Sequence, residues 1–120
     1  MLVRVLSQLP FFTAGDDTWL SEMLHPRDLS GGLPYTLAYA EVQPHQVTRR
    51  HRLHEGTEVH IVIEGKALFH VGGEEREVSA ISAVVVPPQQ WQWISNGPER
   101  LRLLCIVSPA WHKEDEETLE

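Results

Sequence analysis

From residue 35 onward turn residues cut the chain into short β-prone runs, and that spacing constrains the fold more than any other feature. Runs over 35–42, 47–53, 57–63, 67–71, 76–78, 83–86, 91–95 and 101–107 are rich in Val, Ile, Thr and aromatics. Glu64-Gly65, Gly72-Gly73, Pro87-Pro88 and Asn96-Gly97 punctuate them. Branched and aromatic side chains suit a half-buried pleated surface, while Gly, Pro and Asn supply the backbone angles that turns need. Many short strands at this spacing predict a β-sandwich or barrel with closed or short edges.

The first 34 residues read differently. Asp16-Asp17-Thr18 can cap one helical turn over 19–24, because their side-chain oxygens accept from orphan amides. Pro26 and Gly31-Gly32 then break the chain. Residues 1–34 are expected to form an N-terminal arm on the barrel or a partner subunit, 35–112 the barrel, and 113–120 an acidic tail. At 120 residues the whole is one domain, small enough to favour pairing with a copy of itself.

Charge and composition narrow the function classes. The net charge is −7, and the last eight residues hold five acids against one lysine. A general role on nucleic acid or anionic membranes needs a basic face that this balance does not provide. Arg49, Arg50 and Arg52 are the one basic cluster, read as a solvated strand face or an anion-steering rim. Residues 1–6 lack the pattern of a secretory signal, and no apolar run approaches a membrane span. With a single cysteine, Cys105, no internal disulfide can form, so a cytoplasmic location is expected.

Chemistry concentrates between His51 and Gly65, where His51, His54 and His60 share a strand-like run with Glu58. Imidazole nitrogen and carboxylate oxygen suit Fe, Mn, Ni, Zn or Cu, and a pocket leaves a coordination position open. Alternation along a strand turns His60, Val62 and Glu64 to the same side as Glu58, and Val59, Ile61 and Ile63 to the other. By the same rule Trp91 and Trp93 face away from Gln92 and suit packing on a partner or the arm, and Cys105 reads as a small buried hydrophobe. No Gly-x-Ser-x-Gly, phosphate loop or nucleotide fingerprint is present.

These residues resemble the small single-domain cupins, whose fold is a double-stranded β-helix (jelly-roll) barrel. Glu58 and Gly65 have the spacing of the family's first motif, which places His51 on its first histidine and Leu53 on its second. Pro87 and Asn96 match the second motif, with Gln92 at its histidine. Glu22-Met23-Leu24-His25-Pro26 and Leu104-Cys105-Ile106-Val107-Ser108-Pro109-Ala110-Trp111 are similar to a microbial subgroup with His-Arg-Leu in motif one and Val-Gln-Trp in motif two. The resemblance implies metal positions at His51, Leu53, Glu58 and Gln92. Leucine cannot ligate, so His54, in an alternative register, or His60, beside Glu58, would have to complete the set.

Two functions stay open at this point. One is a homodimeric metal-dependent cupin acting on a small polar molecule by oxygenation or isomerisation, with His60 or Glu64 as the general base. The other is a non-catalytic ligand-binding or sensing cupin with a degenerate metal site.

Overall fold

The computed structural model describes residues 1–119. Eleven strands form two antiparallel sheets. They are β1 (Phe12–Thr13), β2 (Trp19–Leu24), β3 (Thr36–Val42), β4 (His51–Leu53), β5 (Thr57–Glu64), β6 (Lys66–Val71), β7 (Glu74–Ser79), β8 (Ser82–Val86), β9 (Gln92–Asn96), β10 (Leu101–Ser108) and β11 (Glu116–Thr118). The first sheet runs β1-β2-β3-β10-β5-β8 and the second β11-β4-β9-β6-β7. This is the β-sandwich that the spacing of turns predicts, in the jelly-roll form that the resemblance implies. Among the described residues, no helix is long and apolar enough to cross a membrane.

The inward side chains follow period two. Glu58, His60 and Val62 point in from β5, Gln92, Ile94 and Asn96 from β9, and Leu101, Leu103, Cys105 and Val107 from β10. A dry core gathers Val42, Val62, Ala67, Phe69, Ile94, Leu101 and Leu103 between the sheets. Asn96 is buried among them and donates to the carbonyls of Val42, Gln43 and Glu99, which ties the β3 end to the β9–β10 turn. Gly65 closes the β5–β6 turn at φ +89°; a Cβ there would stand 2.8 Å from the Arg100 carbonyl oxygen, so only glycine fits.

Several expectations need correction. Residues 19–24 are a strand, not a helical turn, because β2 hydrogen-bonds β3 along its length. Asp16 does cap, but it closes the turn before β2, accepting from the Thr18 amide at 3.1 Å and hydroxyl at 2.7 Å. The strand expected over 47–53 is regular only at His51–Leu53; Val47 makes an isolated bridge to Ser95. The acidic C-terminus is built into the sheet through β11 on β4, and the buried Asp115 carboxylate accepts from the amides of Glu55 and Gly56. The arginines resolve into an outer-face array: Arg50 lies 4.2 Å over Trp93, Arg52 lies 4.6 Å over Trp91, and Arg49 approaches Asp17 at 3.7 Å.

Candidate functional site

Register decides which inward residues meet. Across β5 and β10, His60 pairs with Cys105 and Glu58 with Val107, while His51 of β4 pairs with Gln92 of β9. The inward side chains of both sheets therefore converge on a cavity of about 140 Å3. Its walls include Phe12, Thr18, Leu20, Ala38, Ile94, Val107 and Trp111, with His51, Glu58, His60, Cys105, Asp16 and Glu116 among the polar members. A larger open cleft of about 800 Å3 lies along β7 and β8, but it gathers no histidine or cysteine. The chemistry belongs to the smaller cavity.

Four side chains form a directed hydrogen-bond chain. The His60 Nε2 lies 2.8 Å from the Gln92 Oε1, and the Gln92 amide nitrogen donates to the Glu58 Oε1 at 2.7 Å. A carboxylate only accepts, so the amide must turn its nitrogen to Glu58 and its oxygen to His60. That oxygen requires a hydrogen on His60 Nε2. On the other side of the ring, Nδ1 lies 3.4 Å from the Cys105 sulfur. Glu58 also faces His51 Nε2 at 3.5 Å.

Charge is held unevenly across this chain. Burial opposes charge on His51, but Glu58 beside it, with Asp16 and Glu116 each at 4.0 Å, outweighs burial and raises its pKa to about 9. Burial likewise opposes ionisation of Glu58; the charges of His60 and His51 and the bond from Gln92 overcome it and lower its pKa to about 2. Burial pushes the Cys105 thiol well up, with Glu58 and Asp16 adding to the effect, so the sulfur keeps its proton. Glu116 is raised by the same burial.

The structure brings His51, Glu58, His60 and Gln92 together and leaves two other candidates outside. His54 follows Leu53 out of the barrel by alternation, is 40% exposed at its side chain, and faces Glu117 at 3.3 Å. Glu64 lies at the end of β5 and turns to solvent, bound to Arg102 at 2.7 Å, so it is no base for the cavity. Asp16 and Glu116 carry no signal in the local pattern, since they come from a loop and a terminal strand distant in sequence. Cys105 is foreshadowed by alternation in β10. Among the described residues, Glu58, His60 and Cys105 have ligand atoms all within 4.8 Å of one another.

Comparison with known proteins agrees with this architecture. The family described as "Cupin domain" matches residues 38–107. A Methanocaldococcus jannaschii protein, the uncharacterized MJ1618, is 31% identical over 112 residues, covering 92% of this chain and 88% of its own length. Among solved structures, the Streptomyces protein Pac13 with uridine superposes with a TM-score of 0.80 at 15% identity, over 100% of this chain and 92% of its own. Pac13 is described as a nucleoside dehydratase. A predicted oxalate decarboxylase from Thermotoga maritima gives a TM-score of 0.78 at 14% identity, covering 89% of this chain and 98% of its own.

Proposed function

The chain belongs to the cupin family, and from that premise we propose that it binds a small polar molecule in its barrel beside a divalent first-row metal ion. The observation that carries this reading is the convergence of Glu58, His60 and Cys105 on the cavity, with the Gln92 amide oxygen 2.8 Å from His60. Bonds of about 2.0–2.2 Å to one ion place neighbouring donor atoms about 3 to 3.5 Å apart. The separations of 2.8 Å from His60 Nε2 to Gln92 Oε1 and 3.9 Å from His60 Nε2 to Glu58 Oε1 bracket that spacing, so the donor set fits an ion that displaces the His60 Nε2 proton. Glu58 and His60 would hold the ion, with Gln92 as a neutral oxygen donor and Cys105 within reach.

An ion there would supply a Lewis acid and a template for the substrate. The chain's own groups do the remaining work. Glu58 holds its negative charge through ordinary pH, and His51 holds a proton at Nε2 beside it. Phe12, Leu20, Ile94 and Val107 line the cavity beside these groups with apolar surface. Proton transfer within a small polar substrate, as in an isomerisation, uses this pair directly; oxygenation requires a redox-active ion. Likeness to a nucleoside dehydratase and a predicted oxalate decarboxylase supports a small polar substrate without choosing between these reactions.

A specific observation favours a second reading, a ligand-binding barrel without metal. Among the described residues no buried side-chain nitrogen or oxygen lacks a hydrogen-bond partner, so the cluster is complete without an ion. Elemental analysis of untagged protein separates the two. The metal reading expects near-stoichiometric Fe, Mn, Ni, Zn or Cu, lost in Glu58→Gln and His60→Ala. No metal after reloading would leave the second reading, to be pursued by thermal-shift screening.

A further inference from the structure

The polar groups of the cavity are graded from the inside outward. Asp16 and Glu116 are each 18% exposed at their side chains, against 6% for His51 and 5% for His60. The two outer carboxylates therefore stand nearest the opening. Metal ligation by Glu58 and His60 would use neither of them.

Charge on this wall is poorly matched. No lysine or arginine is among the described residues that line the cavity. His51 lies 3.5 Å from Glu58 and 4.0 Å from each of Asp16 and Glu116, so one imidazolium serves three carboxylates. A fourth carboxylate of the wall, Glu22, is paired with Arg27. Asp16 commits Oδ1 to the Thr18 amide and hydroxyl and keeps Oδ2 toward His51. In a half-enclosed space, where water screens poorly, an excess of negative charge attracts a cation and repels an anion.

Aromatic rings line the same cavity. Phe12 and Trp111 form part of its wall yet stay 50% and 37% exposed. The Trp111 amide donates to the hydroxyl of Thr36, another wall residue, at 3.2 Å, which fixes Trp111 against the cavity. The negative faces of such rings attract an ammonium group. An apolar ligand would use the rings without the carboxylates, and an anion would use neither. Only an organic cation is favoured by both.

We propose that the cavity selects a small organic cation, an amine or substituted ammonium compound, its charged nitrogen held by Asp16 and Glu116 and by the faces of Phe12 and Trp111. This rests on the small-molecule reading above and adds the charge of that molecule; it does not depend on the metal. A cavity of about 140 Å3 lies below the roughly 300 Å3 at which drug-sized pockets begin, so the cation is compact.

Thermal-shift titration of the protein as purified tests the proposal with three probes of one shape at matched ionic strength. Tetramethylammonium should raise the melting temperature saturably, while trimethylacetate and tert-butanol should not. Asp16→Asn keeps an acceptor for the Thr18 turn and Glu116→Gln keeps the side chain's shape; each should weaken the apparent affinity about tenfold. Trp111→Leu should weaken it by about two- to fivefold, and Trp111→Phe should restore most of the loss. Glu75→Gln, on the outer face beside His70, should bind as the wild type does. If Glu116→Gln fails to fold, Asp16→Asn decides alone. A shift from trimethylacetate or tert-butanol alone overturns the cation and leaves the small-molecule reading standing. Equal tetramethylammonium binding by the wild type and the folded carboxylate variants puts the cation elsewhere and overturns the assignment as well. No shift from any probe overturns it together with the small-molecule reading.

Discussion

The two ends of the barrel interior share strands yet are built for opposite ends. Along the inward row of β5 the residues run Glu58, His60, Val62; along β10 they run Val107, Cys105, Leu103, Leu101 against them. One end is close-packed and dry, with Leu101, Val42 and Val62 wholly buried. The other keeps a cavity of about 140 Å3 and fills its wall with groups that hold charge. Packing at the first end supplies the stability against which the second can keep a buried ion pair and an open space. Stability and chemistry are thus separated by only two or three residues along each strand.

That division can be broken at either end. The largest stability loss should come from Leu101→Ala, at about 2–5 kcal/mol in chemical denaturation, because the site is fully enclosed and cannot collapse. Metal or ligand bound per folded molecule should stay at the wild-type level. Loss of binding at full occupancy of the folded state would mean the two ends are not separable. Gln92→Leu comes next, at about 1–3 kcal/mol, since it strands the His60 N–H and removes a donor from Glu58. Here binding should fall even in fully folded protein.

Titration of metal-free protein sharpens the polar end. His51 has its pKa raised from 6.5 to about 9, so its contribution is complete below pH 6.5 and lost as pH climbs toward 9. Glu58 has its pKa lowered from 4.5 to about 2, so its contribution is complete above pH 4.5 and lost as pH falls toward 2. The pair therefore stabilises most between about pH 4.5 and 6.5. A melting-temperature profile should decline from pH 6.5 to 9, and His51→Gln should flatten that limb. An equal slope in both proteins would remove His51 from the account. The smallest effect should be Glu64→Gln, which lies on an exposed pair with Arg102 and should leave binding and melting within error of the wild type.

Much of this was legible before any coordinates. Period two along 57–63 places Glu58, His60 and Val62 inward, and turn spacing yields the strand pattern; both depend only on neighbours in sequence. The same rule fails at Glu64 because the strand ends there and the side chain follows Arg102 outward. Residues 19–24, Trp-Leu-Ser-Glu-Met-Leu, pair apolar, polar and apolar residues in a run too short and too irregular to separate helix from strand; hydrogen bonding to β3 settles it. Asp16 and Glu116 were invisible for another reason. Their approach to His51 depends on β11 returning to pair with β4 and on the loop before β2, and such long-range closure leaves no local signature.

The most direct test of the central claim is anomalous scattering from crystals of the untagged protein, collected at the absorption edge of whichever metal copurifies. The account predicts one peak in the cavity, about 2.0–2.3 Å from a Glu58 oxygen and a His60 nitrogen. A peak only at surface carboxylates, or none while the His60–Gln92–Glu58 hydrogen bonds persist, would contradict the metal site and identify the cavity as a metal-free ligand pocket.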